Sequence, residues 1–518
     1  MQWVKEHYLG LIFAFCIGFI TVAPHLAFIH NLGAEYKGLY PMKADAEPYY
    51  LSRIHEIYKG HLSTNTLIFE EKYTIPRATF NLIDPIMALP GLVFGLSVPT
   101  LALIYKFLFP AIIGFLIYLL GLKLFKNKWW SAVTAVAVMC GYYLLYRTDL
   151  MSVLKFDMVF NSFSDYSRPT YPQFSSIVFF AYLIVLYKAL QEKIWKWFIW
   201  LGVIFGAMFY VYYFEYTFVL ALNAVAIFVF FMLKQKDVSK KLLSTTLMGI
   251  VLGSYSIWNL LHVVKHPSYA LFSSMQRMFL SHAPIFSLIG VGTFVLFAGY
   301  YIWKKKYSGK GNELSDYFVL CLLLATFVAS NQQVLTGRVI QEGHYYWFFG
   351  IPIYVIALCY LVFKVLGDKK KIIIGLGSLI VLGSFWTTGF VQYSSYKFWF
   401  EQIRSEQRYV SVFDYLNLIS KPDDVVFANS EISQLVPVYT FNSVVWEDGA
   451  YSYLIPLNRN KWDADFILKN GFENNIHTYR ADYVLWDYKV DPDWKMDKKG
   501  FLQYLDEVGE VKIYKILK

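Results

Sequence analysis

Asp45 and Glu47, two residues apart in the run Ala44-Asp45-Ala46-Glu47-Pro48-Tyr49-Tyr50, carry the chemistry that is easiest to name in this chain. A carboxylate can take a proton from an acceptor hydroxyl, while Arg, Lys, His or a divalent metal can stabilise a departing phosphate. Both residue types occur in the polar segments. Arg53, His55 and Glu56 follow the acidic pair, and Asp149, Asp157, Asp165, Arg168 and Gln173 sit in a second segment. A third reads Asn331-Gln332-Gln333-Val334-Leu335-Thr336-Gly337-Arg338, then Gln341-Glu342-Gly343-His344. Asp45 and Glu47 also offer hard oxygen ligands for Mg²⁺ or Mn²⁺. No His/Cys set has zinc spacing, and no serine elbow or phosphate-binding glycine loop is present.

The elements that must position these residues are apolar. Of 518 residues 57% are hydrophobic and 20% aromatic, against 16% charged. Mean hydropathy is +0.41. Such a balance suits lipid, where aromatic rings serve as bulk and as interfacial anchors. The formal charge of +10 does not indicate nucleic acid, because the lysines cluster between apolar runs and form no single basic face. Cys16, Cys140, Cys321 and Cys359 all fall in or beside apolar runs and read as small buried residues. Lys5 precedes an apolar stretch from Leu9 to Phe28, longer than a signal-peptide core, which reads as an uncleaved anchor.

Runs near the roughly 20 residues needed to cross a bilayer lie at 9–29, 100–122, 129–147, 174–191, 195–213, 216–233, 242–262, 284–303, 316–330, 346–366 and 372–393. Every second connection carries lysines: Lys123, Lys126 and Lys128; Lys188, Lys193 and Lys196; Lys234, Lys236, Lys240 and Lys241; Lys304, Lys305, Lys306 and Lys310; Lys364, Lys369, Lys370 and Lys371. The positive-inside rule places these clusters and the N-terminus in the cytoplasm. Loops 30–85, 148–173, 263–283 and 331–345 then face outward, as does the chain beyond 397. Residues 83–98 are apolar but carry Pro85, Pro90 and glycines, and read as a re-entrant or interfacial piece.

The expected fold is therefore a polytopic α-helical membrane protein of about 11 transmembrane helices, in a module spanning 1–397. An extracytoplasmic α/β domain follows at 398–518. Strands are expected at 424–428, 444–446, 481–486 and 511–514, and helices at 402–420, 461–470 and 498–507, which suggests a mostly parallel sheet. Along 49–59 the apolar residues recur at helical spacing, so that segment reads as an amphipathic helix on the membrane with Pro48 in its first turn. An acidic pair before a helix is also a common N-terminal cap. Arg168 would hold a lipid phosphate or snorkel at the interface. Asp165 is a second carboxylate or metal ligand. Asn331, Gln332, Gln341 and Gln173 suit hydroxyl recognition, and Arg338 and His344 suit phosphate. Glu215, in a short turn among tyrosines, reads as solvated.

This pattern resembles the GT-C superfamily of membrane glycosyltransferases: an acidic first outer loop (Asp45, Glu47), many spans, polar outer loops and a soluble domain after the last span. The resemblance implies sugar transfer from a polyprenyl-phosphate donor to a lipid-linked glycan, cell-envelope polymer or protein on the outer face of the membrane, and the lysine-in topology with no cysteines in the polar segments points to a plasma membrane. It carries the base or metal-ligand role to Asp45 first and Glu47 second. Arg53, Arg168, Arg338 and His344 then become candidates for the donor phosphate. Val445-Trp446-Glu447-Asp448-Gly449 only partly echoes the Trp-Trp-Asp-Tyr-Gly signature of the oligosaccharyltransferase branch. A lipid-diphosphate glycan polymerase or ligase has similar loops. A transporter or flippase would need polar groups in mid-span, where Lys106 and Asn223 are the main examples.

Overall fold

The computed structural model of the chain describes residues 2–43, 46–61, 82–146, 151, 155, 159–307, 313–446, 468 and 472–517. Its main helices are α1 (Gln2–Leu32), α2 (Glu47–Tyr58), α3 (Ile83–Phe94), α4 (Val98–Phe125), α5 (Lys128–Cys140), α6 (Ser175–Glu192), α7 (Trp195–Met208) and α8 (Tyr213–Met232). There follow α9 (Lys236–Leu252), α10 (Ser254–Lys265), α11 (Leu288–Tyr307), α12 (Leu314–Ser330), α13 (Ile351–Leu366), α14 (Lys370–Glu406), α15 (Val410–Ile419) and α16 (Ser430–Tyr439). By length and apolarity, 7 helical stretches among the described residues can cross a membrane, or up to 8 if the broken pair α9 and α10 is one span. The chain is a multi-pass membrane protein. The expected count of eleven is not reached on this measure. The segments expected to cross at 129–147 and 195–213 form α5 and α7, of 13 and 14 residues, too short for a full crossing.

The described residues divide into two compact units, one of 1–24, 103–257 and 278–398, the other of 25–102, 258–277 and 399–518. In the first, apolar helices pack around a core that includes Trp130, Tyr182, Phe198, Phe318 and Tyr360, all essentially unexposed. The Trp130 indole N–H donates to the Cys359 carbonyl at 2.9 Å, joining α5 to α13. A buried network ties α11, α12 and α13 together. Lys304 pairs with Asp316 at 2.6 Å, and Tyr360 donates to the other carboxylate oxygen at 2.8 Å. Asp316 also completes a capping box with Glu313, which fixes the start of α12.

The second unit holds a five-stranded sheet in the order β4-β3-β5-β7-β6, built from β3 (Val425–Ala428), β4 (Ser443–Val444), β5 (Tyr483–Asp487), β6 (Leu502–Val508) and β7 (Val511–Ile516). A separate two-stranded ribbon, β1 (Phe279–Leu280) with β2 (Arg338–Val339), belongs to the first unit. β3 is parallel to β4 and β5, while β7 runs antiparallel to β5 and β6, so the sheet is mixed. β3 and β5 are buried along their whole length, as continuous apolar runs require. The helix expected at 498–507 is instead strand β6. Gly509, at φ 64°, supplies the left-handed turn that folds β6 back on β7. The helix expected at 461–470 lies almost wholly outside the described residues.

α2 is enclosed by protein on more than one side. Its residues Glu47, Tyr49 and Leu51 to Ile57 are buried, against α3 on one side and α16 on another. Short α3, with Pro90 inside it, turns Ile86, Leu89, Val93 and Phe94 outward. A Cβ at Gly91 would stand 1.6 Å from the Tyr58 hydroxyl, which donates to the Leu96 carbonyl at 2.8 Å. Gly91→Ala is expected to destabilise the protein by about 1–3 kcal/mol through this overpacking. Thermal unfolding in lipid would show it, and an unchanged melting point would mean the α2–α3 contact yields freely.

His55 Nδ1 lies 3.0 Å from the Pro437 carbonyl, across the α2–α16 contact. Burial pushes its pKa below the usual value, with the Pro437 bond opposing. The fold therefore favours neutral imidazole. Its contribution is full above the unfolded pKa of about 6.5 and is lost as pH falls below that. Acidifying from about pH 7.5 to about pH 5.5 should cost the wild type more melting temperature than His55→Gln. Equal losses would remove His55 from the pH response.

Candidate functional site

Asp45 lies outside the described residues, and so do Asp149 and Asp157. Glu47 opens α2 just after Ala46, whose backbone is left-handed at φ 52°. Its carboxylate is fully buried and accepts a hydrogen bond from the Tyr40 hydroxyl at 2.9 Å. Burial, reinforced by the Glu47 charge, raises the Tyr40 pKa well above 10, so the phenol stays a donor. The C-terminal segment holds the strand of chain that leads into the acidic pair. Tyr40 N–H donates to the Tyr439 hydroxyl at 2.7 Å. Gln407 Oε1 accepts from the N–H groups of Lys37 and Leu39 at 3.0 and 3.2 Å, and its Nε2 donates to the Leu39 carbonyl at 2.9 Å. Lys43 pairs with Glu406 at 2.6 Å. Gln407 and Tyr439 carry no signal in the sequence, because each acts on this segment from far along the chain, and nothing in the seven-residue spacing of Tyr40 and Glu47 marks their pairing.

Arg53, expected on the donor phosphate, is engaged elsewhere. Its guanidinium grips Asp84 through two bonds of 2.6 and 2.9 Å and a third reaches the Tyr49 hydroxyl at 2.8 Å. Burial raises the Asp84 pKa, with Arg53 opposing, and both side chains are nearly unexposed. This is an internal ion pair between α2 and α3. Another cluster in this unit joins Glu56, His61 and Asp423, whose ligand atoms lie within 4.8 Å of one another. The Glu56 oxygens already contact the Lys59 ammonium at 2.6 Å and His61 Nδ1 at 2.7 Å, so an incoming cation would have to displace both. That set fits a metal poorly.

In the other unit, the segment 165–171 and His344 are linked through Tyr212. Asp165 is exposed on a short 3-10 turn, Asp165–Ser167. Arg168 Nε donates to the Tyr171 carbonyl. Tyr171 stacks on Tyr212 with centroids 4.4 Å apart, and its hydroxyl donates to the Val211 carbonyl at 2.6 Å. The Tyr212 hydroxyl bonds His344 Nδ1, and the imidazole stacks on Phe214 at 4.4 Å. The Arg168 charge is close enough to act on His344. Asp165 also lines a cavity of about 10 Å³, room for about one water, with Tyr142, Tyr143, Ser164 and Trp347. Arg168 thus brings one positive charge to an aromatic cluster of Tyr171, Tyr212, Phe214 and His344, and that charge suits an anion.

The amide row is less available than its composition suggested. Asn331 donates to the Ile285 and Phe327 carbonyls, both at 3.0 Å, and accepts from Ile285 N–H at 2.7 Å. Gln332 donates to the Arg338 carbonyl at 2.8 Å and accepts from the Thr336 hydroxyl at 2.7 Å. These amides fix loop backbone instead of facing a substrate. Arg338 is half-buried in β2. Gln341, left-handed at φ 36°, starts the turn that presents His344. Gln173 is buried, with Nε2 on the Tyr166 carbonyl at 2.5 Å. Glu215, expected to be solvated, is fully buried at the start of α8.

No protein-family model matches the chain, and no curated protein matches it in sequence. Solved structures do match in three dimensions. The oligosaccharyltransferase of Archaeoglobus fulgidus superposes on 95% of this chain and 71% of its own, with a TM-score of 0.54 at 13% identity. The oligosaccharyltransferase AglB from Archaeoglobus fulgidus, in complex with an inhibitory peptide and a dolichol-phosphate, covers 94% of this chain and 70% of its own, again at TM-score 0.54 and 13% identity. ArnT of Cupriavidus metallidurans bound to undecaprenyl phosphate covers 99% of this chain and 98% of its own, at TM-score 0.51 and 10% identity. The chain shares the fold of these structures over nearly its whole length.

Of the described candidate residues, Glu47, Arg53, Asp165, Arg168, Arg338 and Gln341 lie outside the stretches able to cross a membrane, whereas Gln173, Asn331, Gln332 and His344 fall near the ends of such stretches. Two of the polar loops supply the Arg168–His344 cluster. The first loop supplies Glu47 with its Tyr40 donor. The partial Trp446 echo of the oligosaccharyltransferase signature is described only as far as Trp446, a buried side chain following β4.

Proposed function

We propose that the protein is an inverting glycosyltransferase that moves a sugar from a polyprenyl-phosphate donor to an extracytoplasmic acceptor at a plasma membrane, with the N-terminus in the cytoplasm and the C-terminal domain outside. The observation that carries this reading is the GT-C fold, shared over nearly the whole chain with enzymes solved with dolichol-phosphate and undecaprenyl phosphate. Asp45 takes the proton from the acceptor hydroxyl. The freed oxygen forms its bond to the sugar's anomeric carbon from the face opposite the phosphate, and the carbon–oxygen bond to phosphate breaks. The electron pair leaves with the lipid phosphate, where Arg168 and Arg338 offset the charge and the His344 imidazole hydrogen-bonds it. Asp165 and Gln341 serve the sugar hydroxyls. Glu47 assists the base. A divalent cation, Mg²⁺ or Mn²⁺, would be held by Asp45 and Glu47 and would supply Lewis-acid stabilisation. One oligosaccharyltransferase structure carries Zn and sulfate. The acceptor is a lipid-linked glycan, an envelope polymer or a protein.

Binding of the spent carrier tests the phosphate assignment. Polyprenyl monophosphate should stabilise the purified protein in lipid against heat, and Arg168→Ala should weaken that binding about tenfold or more. Stabilisation by a polyprenyl diphosphate alone would favour a lipid-diphosphate polymerase.

A further inference from the structure

A short non-helical ribbon joins the start of α11 to the end of α12, away from the Lys304–Asp316 pair at their other ends. Its two arms are 278–288 and 331–340. β1 pairs with β2, and beside them Ser281 N–H donates to the Gly337 carbonyl at 3.0 Å. Asn331 holds Ile285 by its N–H and its carbonyl, at 2.7 and 3.0 Å. Gln333, itself buried, donates to the Ala283 carbonyl at 3.2 Å. His282 Nδ1 lies 3.1 Å from the Val334 carbonyl, and a Cβ at Gly337 would stand 2.8 Å from the same ring. Three side chains thus serve the backbone of the facing arm.

The side chains left outside are large and apolar. Leu280, Leu288 and Leu335 are 79%, 94% and 89% exposed, and Phe279, Phe286 and Val334 are exposed as well. Apolar groups gathered on a surface in this way mark a contact. A loop in water has no need of side chains for its backbone, because water supplies the partners. At a lipid boundary an unpaired backbone group is costly, so partners must come from within. The ribbon also continues a membrane span. Val334 and Leu335 fall at the end of the stretch Leu314–Thr336, which is long and apolar enough to cross. Phe286 meets Phe327 of α12 at 5.7 Å, and Val291 and Val295 of α11 and Val328 of α12 are exposed in turn. Neither arm contains an acidic residue.

We propose that this ribbon is seated in one leaflet of the bilayer, at the boundary of headgroups and acyl chains, with phospholipid covering Leu280, Leu288 and Leu335. The lack of acidic side chains spares it repulsion from anionic headgroups. β2 runs through Ile340 into the Gln341 turn that presents His344, so the seat holds that turn near the level of lipid phosphates. The proposal concerns where the ribbon lies and stands or falls apart from the sugar-transfer reading. The competing occupants are a second copy of the chain and the polyprenyl tail of a carrier.

Full-length protein in lipid nanodiscs would carry a nitroxide at Leu280→Cys or Leu335→Cys, in a Cys16→Ser background that leaves only the buried Cys140, Cys321 and Cys359. Leu418→Cys, at an exposed position of α15, is the reference in the sheet-bearing unit. Labels at 280 and 335 should meet dissolved oxygen more often than a water-soluble nickel chelate, by a ratio that sets them about 5–10 Å below the headgroup surface. The label at 418 should show the reverse preference. Chelate access at 280 and 335 equal to that at 418 would place the ribbon in water and overturn the proposal. So would spin–spin broadening that vanishes on dilution with unlabelled protein, which would assign the face to a second copy. An oxygen preference that appears only with added polyprenyl phosphate would assign it to the carrier's tail, and would equally overturn the proposal. Wild-type protein gives a second reading should the variants fail to fold. A phospholipid with a diazirine near the top of its acyl chain should, on illumination, label peptides from 278–288 and 331–340. Labelled spans with both arms unlabelled would contradict the seat in lipid.

Discussion

Asp45→Ala is expected to lower sugar transfer by about 10²–10⁴-fold, the range for loss of a positioned general base. Expression and melting temperature should stay unchanged, and the loss should fall on kcat, because the proton moves only as the acceptor attacks. Glu47→Gln is expected to lose less, about 10–100-fold, since the amide oxygen still accepts from Tyr40 while the charge beside the base is gone. Steady-state rates with a saturating donor would separate the two. Turnover indifferent to Asp45, or a larger loss at Glu47, would move the base from Asp45 to its neighbour. The same assay with and without chelator reads the metal. A chelator-insensitive wild type would leave the carboxylates with proton transfer alone.

Arg53→Met is expected to destabilise the protein by about 3–5 kcal/mol, because it strands the Asp84 carboxylate in the contact between α2 and α3. The paired replacement Arg53→Met with Asp84→Leu should recover most of that loss, since two apolar side chains replace the ion pair together. The folded double variant should keep its donor KM. This outcome divides the structural role seen here from the phosphate role that its place in the first loop suggested. A stable Arg53→Met protein with a raised KM would return Arg53 to the donor. Thermal unfolding of the three variants in lipid, followed by donor titration of those that fold, decides between them.

What the sequence disclosed follows from how each feature is encoded. Apolar runs and lysine clusters are local, so the helices at 175–192, 213–232 and 351–366 stand close to where hydropathy places them. The fold class was legible from that pattern and the acidic first loop together. Strand β6 reads as helix in the sequence because Leu502-Gln503-Tyr504-Leu505-Asp506-Glu507-Val508 is too short to distinguish the two periods, and pairing with β7 decides it. Side-chain roles depended on distant partners. Arg53 was read from its neighbours in the loop, yet Asp84 captures it. Asn331 and Gln332 looked like hydroxyl readers, yet backbone groups of their own and neighbouring loops engage them. Glu215 looked solvated beside three tyrosines, yet helix packing encloses it. His344 and Arg168 stand out in the sequence by residue type alone, and the stacking of Tyr171 on Tyr212 that links them has no local signature.

The most direct test is turnover of a panel of radiolabelled polyprenyl-monophosphate sugars by the purified wild-type protein in lipid, with lipid-diphosphate glycans run beside them. Transfer or release of label from at least one monophosphate donor, with polyprenyl phosphate as the second product, is the predicted result. Consumption of a lipid-diphosphate glycan with every monophosphate donor left intact would contradict it.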